Sequence, residues 1–210
     1  MTVLDSSLKI IHEPLLVAYK DDILTDNVIC GIDKEIEEIK WPKIFDRAGS
    51  YMLECNDTVK YSQLKHLYTE CSSVSFIEQI EKITGINHLI PDPHLIGAGY
   101  SQIKDCGDLK PHVDFNWNER IKLHRACTVI IYLTTPHAGG EIEFIDVIKL
   151  PVKRNRVVIF NHSENIRHFV HPVKGIRNAV RFFYYTSNLN TPPTYHRSLY
   201  GATDSKPHDV

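Results

Sequence analysis

Hydrophobic and polar positions divide the chain into two halves with different periods. In the first half, apolar residues recur at helical spacing, most clearly over residues 62–84, where the pattern is interrupted near Cys71-Ser72-Ser73. A charged stretch over residues 33–39 also follows a helical pattern. The sequence therefore predicts that residues 1 to about 90 form mainly helices joined by loops.

From about Leu95 onward, short runs rich in Val, Ile, Phe and Tyr are separated by Gly, Pro, Asn and Asp, which is typical of strands. The predicted strands cover residues 95–104, 111–115, 127–133, 141–146, 149–152, 156–161, 167–173 and 178–187. Short strands without helices between them favour an antiparallel double sheet such as a jelly roll. The predicted fold class is mainly β with helices (α+β): a double-stranded β-helix with the N-terminal helices packed outside one sheet and a ligand pocket at its open mouth.

Length and charge limit the classes of function. The chain has 210 residues and a formal net charge of -2. This length predicts one domain over residues 1–187, with a helical support region to about 90, a jelly-roll core over about 91–187, and a C-terminal tail over 188–210 that covers a surface or frays. The mixed charge argues against nucleic acid or an anionic membrane as a partner, and no apolar run approaches the length of a membrane span.

The cysteines and the N-terminus indicate the compartment. The chain has five cysteines, an odd number without a CxxC pair, which fits free thiols better than a disulfide framework. Asp5, Lys9 and Glu13 interrupt the segment where a signal peptide would be apolar. We therefore expect a cytoplasmic protein.

The candidate chemistry begins at His112-Val113-Asp114. Side chains alternate along a strand, so His112 and Asp114 would point to the same face. A third imidazole from a distant strand would complete two histidines and one carboxylate, the facial triad of non-haem iron oxygenases, which leaves half of an octahedron open. The chain has 12 histidines, and the downstream candidates are His162, His168 and His171.

Around these residues the chain resembles the iron(II)- and 2-oxoglutarate-dependent dioxygenases, specifically their prolyl-4-hydroxylase-like branch. The matching segments are GAGY (97–100), PHVDFN (111–116), IYLT (131–134), GGEIEF (139–144), NRVVIF (155–160), and the run from His168 to Arg177 that continues into FYYT (183–186). The resemblance covers roughly residues 89–187 and not the helical first half.

The resemblance implies a catalytic metal site formed by His112, Asp114 and His168. His168 is preferred over His171 because the family places this ligand four residues before a Pro-Val pair and nine before an arginine, here Arg177. The implied cofactors are Fe(II), 2-oxoglutarate as co-substrate and O2, with ascorbate in a supporting role. Arg177 is the expected partner of the distal carboxylate of 2-oxoglutarate, because a guanidinium can bind a carboxylate through two parallel hydrogen bonds.

Other residues near these motifs receive weaker assignments. Arg181 shares the parity of Arg177 on the last strand and is its rival, and the Tyr132 hydroxyl is expected to support the same carboxylate as in the family. The pair Gly139-Gly140 is expected to need positive φ angles. The sequence also contains Trp117, Arg125 and Arg47, which could line the substrate mouth, but a solvated charge or a packing aromatic is the default interpretation for each.

The implied reaction is hydroxylation of an unactivated C–H bond, and retention of Asp114 favours it over halogenation. A prolyl residue in a peptide or protein is the leading substrate, and a free amino acid or another small molecule is the alternative. Two departures concern the substrate pocket: Gln102 or Ile103 replaces a usual tyrosine, and Thr134 replaces an asparagine. A nucleic-acid demethylase would carry two arginines six residues apart after the last histidine, and a cupin-like module that binds metal without oxygenase activity would not need Arg177.

Overall fold

A computed structural model describes Leu4, residues 7–187 and residues 194–200. The helices are α1 (Asp26–Glu37), α2 (Ser62–Cys71) and α3 (Val74–Thr84). Strands before residue 92 are β1 (Lys9–Ile11), β2 (Val17–Lys20), β3 (Lys43–Arg47), β4 (Ser50–Cys55) and β5 (Ile90–Pro91). Later strands are β6 (Gly99–Ile103), β7 (Leu109–Val113), β8 (Trp117–Asn118), β9 (Leu123–Tyr132), β10 (Ala138–Gly139), β11 (Ile142–Phe144), β12 (Ile148–Leu150), β13 (Val157–Asn161), β14 (His168–Val170), β15 (Val173–Lys174), β16 (Arg177–Thr186) and β17 (Leu199–Tyr200).

Helices α2 and α3 confirm the predicted pair and its interruption. The hydroxyl of Ser73 accepts a hydrogen bond from the Phe76 backbone N–H at 3.3 Å and begins α3. Gly85 ends α3 with a φ of 71°, a left-handed conformation that glycine adopts without a Cβ penalty. Helix α1 begins at Asp26, earlier than the charged stretch over residues 33–39 indicated.

The expectation that the first half is mainly helical was wrong for β1 to β4, which join the major sheet. Strand β2 pairs with β13, and β4 pairs with β6. These strands lie at or near the sheet edges, and β3 is largely exposed, so the sequence carries little of the apolar alternation that identifies a half-buried strand. Their partners are distant in the chain, and this pairing is set by the tertiary structure.

The predicted antiparallel double sheet is confirmed. Within the described residues, the major sheet follows the order β1-β2-β13-β9-β16-β6-β4-β3, with β5 on β16 and β8 on β9. The minor sheet follows the order β12-β11-β14-β7-β17, and β10 pairs with β15. The fold is therefore mainly β with helices, as the hydrophobic pattern indicated.

Two cores lie on opposite faces of the major sheet. The helices bury Ile32, Leu64, Leu67, Phe76 and Ile80 against one face, as predicted for helices outside one sheet. The other face packs on the minor sheet through side chains that include Ile130, Tyr132, Ile142, Phe144, Leu150 and Phe160. No helix in the described part of the chain is long and apolar enough to cross a membrane.

Part of the predicted C-terminal tail lies on the minor sheet. The tail was expected over 188–210, and within that range the structure describes only residues 194–200. There, Leu199 pairs with Val113 and Tyr200 pairs with His112, so β17 extends the minor sheet beyond β7. This segment therefore covers the edge of the strand that carries the HxD motif.

Candidate active site

His112, Asp114 and His168 meet between the two sheets. His112 lies on β7 directly opposite His168 on β14, and Asp114 immediately follows β7. The Nε2 of His112 is 3.5 Å from one carboxylate oxygen of Asp114, and the Nε2 of His168 is 3.6 Å from the other. Antiparallel pairing of two short strands thus brings together residues that are far apart in the chain.

The donor atoms fit one divalent transition-metal ion. One ligand atom from each residue lies within 4.8 Å of the others. Metal–ligand bonds of about 2.1 Å would place neighbouring donors about 3 Å apart, so small side-chain shifts suffice to close this set on an ion. The Nδ1 of His112 is 2.7 Å from the Lys110 carbonyl oxygen, which assigns its proton to Nδ1 and leaves the Nε2 lone pair for the metal.

Aromatic side chains enclose the two imidazoles. The ring of Tyr200 stacks on His112 with centroids 5.0 Å apart. Phe144 and Phe160 flank His168, with centroids at 5.5 Å and 5.4 Å. Burial lowers the pKa of His168 to about 3, although the Asp114 carboxylate opposes this shift. His168 is therefore neutral near pH 7, the state in which an imidazole binds a metal.

Arg125 neutralises the carboxylate of Asp114. Its guanidinium donates to Asp114 at 2.8 Å and to the Thr128 hydroxyl at 2.7 Å, and lies 3.6 Å from the Phe183 ring centroid. Burial opposes ionisation of Asp114, but Arg125 and both neighbouring histidines together hold its pKa well below the usual value. Asp114 is consequently anionic over the physiological pH range.

Arg125 lies in the candidate site, although its default prediction from the sequence was a solvated charge. Simple alternation would place it on the face of Val129 and Ile131, which pack against the helices. A bulge in β9 leaves Ala126 unpaired, because Tyr184 pairs with Cys127 while Tyr185 pairs with Arg125. The bulge turns Arg125 into the cavity. A charged residue inside an apolar strand was the available signal.

Arg177 lines the same cavity as the three candidate ligands. Its Nε donates to the Gly140 carbonyl at 2.9 Å, and its Nη2 donates to the Tyr132 hydroxyl at 3.4 Å. The guanidinium carbon lies 4.9 Å from the Tyr132 ring centroid. Arg181 also lines this cavity, but its guanidinium forms an ion pair with Glu54 on β4. The structure therefore brings Arg177 and Tyr132 together.

Gly139 and Gly140 both have the positive φ angles that the sequence predicted, 71° and 75°. A Cβ on Gly139 would lie 1.9 Å from the Pro172 carbonyl oxygen, and one on Gly140 would lie 3.1 Å from Cδ of Arg177. The glycines thus permit the close approach of β10 to β15 and the contact of the Gly140 carbonyl with Arg177.

The two alternative candidates for the third ligand, His162 and His171, lie outside this triad. His171 contacts Glu143 at 2.7 Å through its Nε2. His162 belongs to a second cluster, with Glu164 and His196. No sequence motif connects Glu164, His196 or Tyr200, so their positions could not be predicted from the sequence.

A groove of about 420 Å³ lies beside the triad. Its walls combine aromatic and cationic side chains, namely Phe115, Trp117 and Tyr195 with Arg47, Arg120 and Arg197. Phe115 packs edge-on against Phe183, a residue of the triad cavity, with centroids 5.7 Å apart. The rings of Phe115 and Phe183 therefore lie between the groove and the triad cavity. Trp117 and Arg47, whose default predictions were a packing aromatic and a solvated charge, both line the groove.

Residues 98–185 match the family model of the 2OG-Fe(II) oxygenase superfamily. These residues form a 2OG-Fe(II) oxygenase domain. The match spans the strands that carry all the candidate ligands and Arg177, and it confirms the resemblance seen in the sequence. The protein is thus an enzyme of the 2-oxoglutarate-dependent dioxygenase class, and its family implies Fe(II), 2-oxoglutarate and O2.

Solved prolyl hydroxylase structures share the fold of this oxygenase. A Trichoplax adhaerens prolyl hydroxylase, in complex with a peptide fragment of the hypoxia inducible factor oxygen degradation domain, is 17% identical with a TM-score of 0.60, covering 80% of this chain and 83% of that one. A Pseudomonas putida prolyl-4-hydroxylase is 12% identical with a TM-score of 0.59, covering 82% and 93%. The viral collagen prolyl hydroxylase of Paramecium Bursaria Chlorella virus-1, in its 2OG complex, is 15% identical with a TM-score of 0.53, covering 82% and 96%. No curated protein matches the chain.

Proposed function

We propose that this oxygenase hydroxylates a prolyl residue in a peptide or protein. The observation that carries the proposal is the convergence of His112, Asp114 and His168 in a cavity that Arg177 also lines, beside an open groove. The triad explains how iron would be held, and Arg177 gives 2-oxoglutarate a cationic partner. The groove offers room for a substrate larger than a single amino acid.

Each ligand has a defined task in this proposal. His112 and His168 would each present a neutral Nε2 to Fe(II), and Asp114 would present a carboxylate that Arg125 keeps ionised. When bound, iron and 2-oxoglutarate would supply an oxidation by O2, in which one oxygen atom enters succinate as CO2 is released from 2-oxoglutarate and the other is inserted into a C–H bond. The protein positions the reactants, and the aromatic rings around the two imidazoles limit the access of water.

Arg177 and Tyr132 would bind the distal carboxylate of 2-oxoglutarate. The Arg177 guanidinium is already oriented by the Gly140 carbonyl and is 3% exposed, so binding would cost it little side-chain entropy. A buried guanidinium forms strong, charge-assisted hydrogen bonds with a carboxylate. Arg181 is a weaker candidate because Glu54 already occupies its guanidinium.

A peptide substrate is supported by the shape and composition of the groove. Trp117 and Tyr195 stack with centroids 4.3 Å apart and would offer an apolar surface to a pyrrolidine ring or a neighbouring side chain. The Trichoplax adhaerens prolyl hydroxylase was solved with a peptide fragment bound, and it has the same fold. A free amino acid would fill only part of the groove.

The cytosol is the compartment that we propose. None of the five cysteines forms a disulfide bond, and three of them, Cys55, Cys71 and Cys127, are buried. Free thiols persist in a reducing environment. Ascorbate would then act in its usual supporting role of keeping the iron reduced.

The test is turnover of 2-oxoglutarate by the purified protein with Fe(II), ascorbate and oxygen, followed by mass spectrometry of a library of proline-containing peptides and small metabolites. We expect succinate formation and a gain of one oxygen atom on a peptide. Oxygen gained by a free amino acid instead would establish the small-molecule alternative. Absence of both turnover and the iron–2-oxoglutarate absorbance, together with equally good zinc binding, would refute oxygenase activity in this protein.

A further inference from the structure

A second cluster of metal-ligating side chains lies next to the groove. His162 and Glu164 are in the loop after β13, and His196 is in the segment 194–200. The Nε2 of His162 is 3.1 Å from one Glu164 carboxylate oxygen, and the Nε2 of His196 contacts the other. Donor atoms from all of these residues lie within 4.8 Å of one another. The cluster therefore has the same donor types and the same compactness as the oxygenase triad.

The hydrogen bonds around His196 indicate that a proton or a metal ion lies between its Nε2 and the Glu164 carboxylate. Its Nδ1 is 2.8 Å from the Arg197 carbonyl oxygen, which only accepts hydrogen bonds, so Nδ1 carries the proton. In the neutral imidazole, Nε2 then directs a lone pair at the Glu164 carboxylate. This arrangement needs a proton or a metal ion between Nε2 and the carboxylate oxygen. His112, in the triad, has the same carbonyl partner on its Nδ1.

Glu164 is oriented by a further hydrogen bond, as metal-binding carboxylates commonly are. The Asn116 side-chain amide donates to Glu164 at 2.8 Å, and Asn116 is buried. A neutral amide donor thus holds the Glu164 carboxylate in position before any ion arrives.

We propose that His162, Glu164 and His196 form a second metal site, which takes a divalent transition-metal ion such as Zn²⁺. Two imidazoles and one carboxylate suit zinc and its neighbours better than Mg²⁺ or Ca²⁺, which prefer oxygen ligands. The Glu164 side chain is 38% exposed, so an ion can enter from solvent and a water molecule can complete a tetrahedral shell. The proposal does not depend on the substrate of the oxygenase.

An ion at this site would anchor the segment 194–200 on the domain. His196 is the ligand from that segment, Tyr195 stacks on Trp117 in the groove wall, and Tyr200 stacks on His112. A metal bond from His196 to the loop after β13 would therefore order one wall of the groove and the ring that covers a ligand of the triad. The site is structural in this proposal, and its effect on substrate is indirect.

Equilibrium dialysis of the full chain against Zn²⁺, with metal content measured by mass spectrometry, tests the site. We expect two zinc ions per wild-type chain, one in His162→Ala/His196→Ala, and one in Asp114→Ala/His168→Ala. A matched control, His12→Ala/His66→Ala, removes two exposed histidines outside both clusters and should retain both ions. The proposal fails if His162→Ala/His196→Ala binds as much zinc as wild type, or if Asp114→Ala/His168→Ala binds none.

Glu164→Gln provides a test that does not require removal of a ring. In the Asp114→Ala/His168→Ala background, Zn²⁺ should slow amide hydrogen exchange in residues 195–198, and Glu164→Gln should abolish this slowing because an amide is a poor metal ligand. Exchange that is insensitive to zinc in the parent, or equally slowed in the Glu164→Gln variant, would show that the cluster is held by protons alone and would overturn the proposal.

Discussion

The triad and the second cluster present the same donor atoms in different surroundings. His112 and His168 lie opposite each other on paired strands, and the side chain of Asp114 is 17% exposed. In the second cluster, Glu164 is 38% exposed and His196 belongs to the segment 194–200. Strand pairing therefore preorganises the triad. The second cluster depends instead on the contacts that hold the segment 194–200 on the domain. A preorganised site is suited to catalysis, and a site joining two segments is suited to anchoring.

The charges beside the two carboxylates also differ. Asp114 faces the guanidinium of Arg125, while Glu164 faces the neutral amide of Asn116. With a divalent ion bound, the triad cavity would also contain Arg125, Arg177 and the Arg181–Glu54 pair, a net positive environment suited to a dianion such as 2-oxoglutarate. The second cluster has no such cation in contact with its carboxylate among the described residues. Glu164 would offset only one of the two charges of its ion, so the second cluster would keep a smaller positive charge than the triad cavity.

The largest effect should come from Asp114→Asn, which breaks the triad and leaves the second cluster intact. We expect 2-oxoglutarate turnover to fall by more than about 100-fold, because losing a metal ligand costs more than losing one of its hydrogen-bonding partners. The measurement is succinate formation together with iron content. Asp46→Ala, at an exposed position on β3, is the control and should behave as wild type. Turnover at the wild-type rate in Asp114→Asn would remove Asp114 from the ligand set.

The next effect should come from Arg177→Lys, which separates co-substrate binding from metal binding. Lysine keeps the charge but loses the planar fork, so we expect the KM for 2-oxoglutarate to rise about 10-fold to 100-fold, the equivalent of one or two charge-assisted hydrogen bonds. Iron content should not change. Arg181→Lys is the matched comparison because Arg181 lines the same cavity. A larger rise in KM for Arg181→Lys would exchange the roles assigned to the two arginines.

A smaller effect should come from Asn116→Ala, which weakens the second cluster and spares the triad. The Asn116 amide donates to Glu164 and to the Thr194 carbonyl, and its oxygen accepts from the His196 backbone N–H. Losing these buried hydrogen bonds should destabilise the segment locally by about 1–3 kcal/mol. We expect faster hydrogen exchange in residues 195–200 and a higher KM for a peptide substrate, with the KM for 2-oxoglutarate unchanged. Unchanged exchange would mean that β17 holds the segment by itself.

The smallest effect should come from Asp21→Asn, which removes a charge from ion pairs outside both clusters. This substitution serves as a baseline for the acid sensitivity of the fold. Hydrogen bonding to Arg156 lowers the pKa of Asp21, against the opposing effect of burial, and Lys153 adds to the lowering. A carboxyl with a lowered pKa stabilises the fold above its ordinary value near 3.8, and this contribution is lost as the pH falls through the lowered pKa.

Because Asp21 is partly exposed, the substitution should lower the free energy of unfolding at pH 7 by about 0.5–1 kcal/mol. Urea unfolding at pH 7 and at pH 3 would measure the difference between Asp21→Asn and wild type, which should be smaller at pH 3. A difference that grows toward acid pH would contradict the assigned pKa direction.

Much of the site could be predicted from the sequence because its spacings are local. His112 and Asp114 are two residues apart, and His168 and Arg177 are nine residues apart with a family motif between them. Arg125 could not be placed in the same way, because the bulge at Ala126 changes its face and a bulge follows from pairing with β16. The early strands were missed for a related reason: their partners are supplied by the second half of the chain.

The sequence by itself determined the sheet-rich second half, the helices α2 and α3, and the residues of the candidate triad, because periodicity and motif spacing are carried by neighbouring residues. The tertiary structure alone decided that Arg125 faces Asp114 and that Tyr200 covers His112. It also decided that His196 meets His162 and Glu164. These contacts join residues from separate strands and loops, and only the closing of the two sheets fixes which of them meet.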